Sequence, residues 1–216
     1  MAGPTGSPYY FSVRHDMIWL IPQGTKRILE VGCGGGQTGK ELRSKGVEEI
    51  AGIEIVEDVA RSAQQHYDAV HIGDVEEMDL PYEKGHFDCI LYGDVLEHLK
   101  DPWKVLRRHN SLVRANGTII VSIPNIRHYR IIKKLALKGQ WEYQDDGIMD
   151  RTHLRFFTLR SIRAMIANAG YDAGTIIKKP SGAGWLKGLN RLSGNRLIEF
   201  LVRQYIISAQ KVREVD

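Results

Sequence analysis

In the stretch Ile28-Leu29-Glu30-Val31-Gly32-Cys33-Gly34-Gly35-Gly36-Gln37-Thr38-Gly39, an apolar run passes directly into glycine. Glycine occupies four of the five positions 32–36. Glycine loses more backbone entropy on folding than any other residue, so this density weakens a fold unless the chain must bend sharply or touch a ligand. The residues before the turn are continuously apolar rather than alternating, as in a central parallel strand covered on both faces. The segment therefore reads as strand, glycine turn and helix, with a ligand held close to the backbone.

The same alternation continues along the chain. Strands are expected at 27–31, 49–55, 69–73, 87–92 and 118–123, with helices over 37–44, 56–67 and 102–113 between them. A short helix-like run over 14–21 precedes the first strand, behind the aromatic trio Tyr9-Tyr10-Phe11. A helix over 159–169 and two closing strands, 174–178 and 203–211, follow, with a glycine-rich loop over 180–194 between the strands. This βαβ spacing predicts an α/β fold, a doubly wound and mostly parallel seven-stranded sheet, with ligands beyond the carboxyl ends of the strands. At 216 residues a single domain is expected over 1–216, with 1–8 a flexible arm and 126–158 a helical insertion or lid after the fifth strand.

Composition excludes several classes. No apolar run reaches the roughly 18–20 residues a membrane span needs, and the small, polar start lacks the apolar core of a signal peptide. Cys33 and Cys89 form neither a disulfide framework nor a zinc site, so a cytoplasmic setting is expected. Charge is uneven. Residues 1–126 carry 13 Lys and Arg against 18 Asp and Glu, whereas 127–216 carry 17 against 8. A second half this basic suits an anionic partner, although surplus Lys and Arg can also simply solvate a surface.

Two glycine patterns overlap at the turn. Gly34-x-Gly36-x-x-Gly39 satisfies the dinucleotide pattern. The other frame is Glu30-x-Gly32-x-Gly34-x-Gly36, with an acid at the end of the strand. A pyrophosphate favours backbone N–H groups and a helix N-terminus, not a neighbouring carboxylate. A ligand carrying an amine or sulfonium tolerates that carboxylate. A P-loop is excluded because no Gly-Lys-Ser/Thr closes the run.

Over roughly residues 26–170 the chain resembles the class I S-adenosylmethionine-dependent methyltransferases, in the broad small-molecule group that includes sugar and quinone methyltransferases. Glu30-Val-Gly32-Cys-Gly34-Gly35-Gly36 matches that family's first motif. The resemblance implies a Rossmann-like methyltransferase fold, S-adenosylmethionine as cofactor and S-adenosylhomocysteine as product. It further implies that Glu54 binds the ribose hydroxyls, that Asp74-Val75 contact the adenine, and that Tyr92-Gly93-Asp94-Val-Leu-Glu97-His98 lie near the methionine moiety. Taken singly, Glu54 and Asp74 are also good helix N-caps, and Gly36 or Gly39 good helix-packing residues.

An acceptor oxygen of high pKa needs a base within hydrogen-bond reach. Asp94 and His98 share a face if the segment after the fourth strand is helical. His153 is the second candidate base, in Asp150-Arg-Thr-His153-Leu-Arg155. Arg151 and Arg155 are candidate anion clamps, unless one merely pairs with Asp150. His128 and Tyr129, at the start of the basic helix 126–139, are further candidate acceptor contacts. That helix can pack Ile126, Tyr129, Ile132 and Leu137 inward, cover an anionic acceptor, or lie with Trp141 on an anionic membrane through 126–141. No metal site is expected, because Asp94 ends the fourth strand without a paired acid.

The expected reaction is O-methylation of a small anionic metabolite such as a sugar, nucleotide-sugar or glycan intermediate. The alternatives are a quinone or other lipid-tailed acceptor, an RNA, or cofactor binding without catalysis. No appended RNA-binding module and no Asn/Asp-Pro-Pro-Tyr/Phe motif is present, which argues against a nucleic-acid partner.

Overall fold

The computed structural model describes residues 8–182, 188 and 190–215. The arm expected over 1–8 therefore lies outside the described residues except for Pro8, as does part of the loop expected over 180–194. Strands β1 (Arg27–Val31), β2 (Glu49–Glu54), β3 (Ala69–Ile72), β4 (Phe87–Gly93), β5 (Val113–Pro124), β6 (Tyr171–Pro180) and β7 (Val202–Lys211) form one seven-stranded sheet. Their order is β3-β2-β1-β4-β5-β7-β6. The first five pair in parallel, and β7 runs antiparallel between β5 and β6. This is the expected mostly parallel, Rossmann-like arrangement.

The unbroken apolar runs have a direct cause: both faces of the sheet are covered. Leu29, Val31, Ile90 and Tyr92 lie in one buried cluster with Val105 and Leu106 of α4 (Pro102–Asn110) and Ile162 and Ile166 of α6 (Leu159–Asn168). Their strand neighbours Ile28, Cys89 and Leu91 lie in a second cluster. Its helical members are Met17 and Ile18 of α1 (His15–Ile18), Leu42 of α2 (Gln37–Ser44) and Ala63 of α3 (Glu57–Ala63). Each fully buried aliphatic side chain contributes about 1.5–3 kcal/mol. Asp101 starts α4 by accepting from the Lys104 N–H (2.9 Å), and Thr158 and Ser161 form a capping box on α6.

The chain winds β1, β2, β3 outward on one side, then returns to place β4 against the other side of β1. The order in which strands are added reverses between β1 and β4, which stay parallel, so the glycine turn after β1 stands at the switch point. Several boundaries differ from expectation. β5 begins at Val113 rather than 118 and continues through Asn116, which sits at φ 59°. The helix expected over 126–139 begins later, as α5 (Tyr129–Lys138), because Asn125 is pinned to the carbonyls of Glu199 and Val202, both at 2.8 Å.

Candidate active site

The glycine turn is held in a shape that other residues would not adopt. Gly32 (φ 74°) and Gly34 (φ 54°) both occupy left-handed backbone. A Cβ on Gly32 would lie 2.5 Å from Val95 Cγ2, and one on Gly34 would lie 2.6 Å from the Tyr10 carbonyl oxygen. Gly36 is left-handed as well (φ 87°), and a Cβ there would meet Ala63 Cα at 2.8 Å, so it also lets α2 approach α3. The helical turn Pro8–Phe11 sits on the glycines, with the Gly35 N–H donating to the Tyr10 carbonyl at 2.7 Å. Burial, and then the charge of Glu54, raise the pKa of the Tyr10 hydroxyl.

Glu54 ends β2 beside this turn and is buried. Its Oε2 accepts from the Gly34 N–H and its Oε1 from the Val56 N–H, each at 3.0 Å. A carboxylate has about four acceptor positions, so the two backbone donors fix Glu54 and leave capacity for a pair of ribose hydroxyls. The Gly73 N–H donates to the Glu54 carbonyl (3.0 Å), which brings Asp74 alongside. Asp74 Oδ1 accepts from the Glu76 N–H (2.8 Å), and Val75 is buried against the core with its carbonyl held by Arg108. These residues fit an adenosine-bearing ligand: a carboxylate for the ribose and an acid at the next strand end.

Two cofactor-contact expectations need correction. Glu30 does not offer its carboxyl to a ligand beside the turn. It is buried and accepts from the Tyr67 hydroxyl. Burial pushes its pKa up to about 7 against the opposing pull of the Tyr67 hydrogen bond, Arg14 and Thr38. Tyr92 points to the opposite face of the sheet, where its hydroxyl bonds His109 Nδ1 at 2.9 Å, so its side chain makes no cofactor contact. Strand alternation requires this: Tyr92 shares the face of Ile90, packed under α4 and α6.

The segment after β4 also departs from expectation. It is a single 3-10 turn, Leu96–His98, and Asp94 precedes it at φ 57°, so Asp94 and His98 share no helix face. Asp94 accepts from Arg14 Nη1 (2.7 Å), Ser122 Oγ (2.8 Å) and Gln204 Nε2 (2.5 Å), tying the amino-terminal segment to β5 and β7. Its role is that of a hub.

His98 instead meets His153. Their rings stand edge to face with centroids 4.7 Å apart. The Leu154 and Arg155 N–H groups donate to the Glu97 carbonyl at 2.8 and 2.9 Å, which fastens 153–155 across the turn. His98 Nδ1 lies 3.2 Å from the Thr152 carbonyl and His153 Nδ1 lies 3.0 Å from the Ile148 carbonyl. A carbonyl only accepts, so each Nδ1 carries a proton and points away from the space between the rings. Burial, and then the neighbouring His153, lower the pKa of His98. Asp150 supports the loop by accepting from the Thr152 N–H (2.8 Å) and hydroxyl (2.6 Å).

The proposed acceptor contacts are dispersed. Arg155 spends its fork on the Lys100 carbonyl, and Arg151 pairs with the exposed Asp145 at 2.6 Å, not with Asp150. His128 is buried and its Nε2 meets Ser181 Oγ at 3.1 Å, while the Tyr129 hydroxyl accepts from Arg130. Among the described residues no hydrogen bond joins these four side chains to His98 or His153. α5 carries no buried residue, which leaves out inward packing among the readings open for it. Leu135 (43% exposed) and Leu137 (73%) stand open, as does Trp141 beyond the helix. Trp141 packs edge to face on Phe156 (5.2 Å), and Phe156 stands 6.4 Å from the His153 ring. This aromatic path from the exposed helix to the histidines was not evident in the sequence.

This fold and site define a class, the S-adenosylmethionine-dependent methyltransferases. A model of the methyltransferase domain family matches residues 10–175, and the chain belongs to that family. It is similar to the ubiquinone biosynthesis O-methyltransferase of Azorhizobium caulinodans, at 32% identity over 73% of this chain and 63% of that protein. The enzyme of the same name from Neisseria meningitidis serogroup C is 30% identical over 46% of this chain and 44% of its own. The chain thus spans less than two thirds of these relatives. Among solved structures, a SAM-dependent methyltransferase from Archaeoglobus fulgidus aligns with a TM-score of 0.66 at 18% identity, covering 88% of this chain and 87% of its own. One from Methanosarcina mazei also reaches 0.66, at 15% identity over 94% and 100%. The family and fold imply S-adenosylmethionine as cofactor and S-adenosylhomocysteine as product. No helix among the described residues is long and apolar enough to cross a membrane.

Proposed function

We propose that this enzyme methylates a hydroxyl oxygen of a lipid-tailed phenolic acceptor, of the quinone-precursor kind, at an anionic membrane surface. The observation that carries this reading is α5. It bears Lys133, Lys134 and Lys138 along with the exposed Leu135 and Leu137, and the Trp141–Phe156 path leads from it to His153. A basic amphipathic helix with apolar side chains uncovered suits the membrane interface. The names of the two relatives support the same acceptor class. A sugar or nucleotide-sugar acceptor is the second reading, favoured by the basic second half. It is weakened because the arginines nearest the site, Arg151 and Arg155, are already engaged. We assign 126–158 as the acceptor-side lid of a single domain, with a reducing cytoplasm as the setting.

Bound S-adenosylmethionine supplies an electrophilic methyl group. In our reading Glu54 orients the ribose, Asp74 the adenine edge, and Gly32 and Gly34 allow close backbone approach. The imidazoles of His98 and His153 form the acceptor-hydroxyl end of the site, where a ring lone pair is needed as the hydroxyl loses its proton. The test is a mass-spectrometric methylation assay with a catechol bearing a prenyl tail, presented in phosphatidylglycerol vesicles, beside a nucleotide-sugar panel. Vesicle-dependent methylation of the tailed catechol is expected. Turnover of nucleotide-sugars alone refutes the lipid-tailed reading.

A further inference from the structure

Residues 73–86 join β3 to β4 and contain neither helix nor strand. Connections longer than about 12 residues without secondary structure are uncommon, and one that carries a binding residue must be tied down to hold its shape. The part bearing Asp74 is tied twice to α4. Glu76 places its carboxylate on the start of that helix, accepting from the Lys100 N–H (2.9 Å) and the Asp101 N–H (2.7 Å). Arg108, further along α4, spreads its guanidinium over two successive carbonyls of the loop. Nη2 donates to the Val75 oxygen, and Nη1 donates to the Glu76 oxygen at 3.1 Å. A planar fork suits paired acceptors, and a charged donor makes each bond stronger than a neutral one.

A single peptide unit connects this clamp to Asp74. The Val75 carbonyl and the Glu76 N–H belong to the same planar trans peptide, so they point in opposite directions. Arg108 draws the carbonyl toward α4. The N–H is thereby aimed at Asp74 and donates to its Oδ1 at 2.8 Å. That bond fixes the Asp74 carboxylate. Its Oδ2 makes no hydrogen bond among the described residues, and an ionised carboxylate oxygen only accepts. An oxygen held in this way selects a donor such as the exocyclic amine of adenine and rejects a carbonyl at the same place on the purine.

We propose that Arg108 is a positioning residue that sets this enzyme's preference for the adenine amine of its cofactor. It acts through the Val75–Glu76 peptide on Asp74, and Glu76 keeps the loop from sliding along α4. The inference rests on the reading of Asp74 as the adenine-edge contact. Arg107 has the same charge on the same helix but bonds neither carbonyl, so it supplies the control.

The experiment measures by calorimetry the affinity of the full chain for S-adenosylhomocysteine and for S-inosylhomocysteine, in which a carbonyl oxygen replaces the amine. Wild type is expected to prefer the amine by about ten- to a hundredfold, the range of one hydrogen bond to a charged acceptor. Arg108→Met keeps the apolar stem and loses the fork. Its preference is expected to fall to within about threefold, through weaker S-adenosylhomocysteine binding. Arg108→Lys restores one carbonyl bond and is expected to recover part of the preference, while Arg107→Met keeps the wild-type ratio. A merely structural role weakens both ligands alike, so an unchanged ratio in Arg108→Met overturns the proposal. If circular dichroism shows that this variant does not fold, Arg108→Gln, which also loses the charge and the fork, is judged by the same criterion. Asp74→Asn separates the clamp from the reading beneath it. Its amide can turn an N–H to the ligand, so its preference is expected to move toward the inosine form. A wild-type protein that does not distinguish the two ligands, or an Asp74→Asn variant that retains the full preference, removes the Asp74 contact and the proposal with it. Loss of preference in Asp74→Asn beside a full preference in Arg108→Met overturns the clamp alone.

Discussion

Replacing Glu30 with glutamine should make this protein more stable at alkaline pH than at acidic pH relative to wild type. Glu30 is buried with its carboxyl on Tyr67, and burial raises its pKa from 4.5 to about 7. The folded state therefore holds a proton that the unfolded chain has released. Stability from this group is greatest below about pH 4.5, falls as pH rises through the interval to about 7, and is constant above it. Integrating the proton-binding difference from pH 5 to pH 8 gives a loss of roughly 2–3 kcal/mol in wild type. Glutamine matches the neutral carboxyl in shape and can still accept from the Tyr67 hydroxyl, so Glu30→Gln escapes that loss. Urea unfolding of both proteins at pH 5 and pH 8 measures the difference, which corresponds to a midpoint gain of roughly 1 M in the variant at pH 8. An equal offset between the two proteins at both pH values refutes the reasoning, because it means Glu30 titrates alike folded and unfolded.

Gly34→Ala should cost about 1–3 kcal/mol of stability and weaken S-adenosylhomocysteine binding, since the residue is left-handed and its Cβ would strike the Tyr10 carbonyl; calorimetry and thermal melts read both. Tyr92→Phe should cost about 1 kcal/mol, the bond to His109, and leave cofactor affinity within twofold of wild type. The double variant Leu135→Ser, Leu137→Ser should lose flotation with phosphatidylglycerol vesicles while cofactor titrations stay unchanged, because neither side chain is buried.

What was legible in the sequence was whatever a face of the sheet or a bend in the chain dictates locally. Ile28 to Val31 and Cys89 to Tyr92 are continuously apolar because alternate residues fill two separate cores. The glycine turn was visible because left-handed backbone at Gly32 and Gly34 demands its residue type. Contacts made across the chain left no local trace. Asp94 finds Arg14 and Gln204 at separations of 80 and 110 residues. His153 reaches His98 only because two backbone N–H groups bond the Glu97 carbonyl. Periodicity in 126–139 disclosed an apolar stripe but not that the stripe would stand uncovered, since a helix pattern carries no record of its neighbours. Glu30 was misread for a related reason: its place beside the turn was clear, while the direction of its side chain depended on Tyr67.

The most direct measurement is a calorimetric titration of the wild-type protein and Glu54→Ala with S-adenosylhomocysteine. Glu54, fixed by the N–H groups of Gly34 and Val56, is the proposed ribose contact. One-to-one binding is expected in wild type. Loss of two charged hydrogen bonds, about 3 kcal/mol together, should weaken it roughly a hundredfold in the variant. A silent wild-type titration, or equal affinity in the two proteins, would contradict the assignment of this turn as the cofactor site.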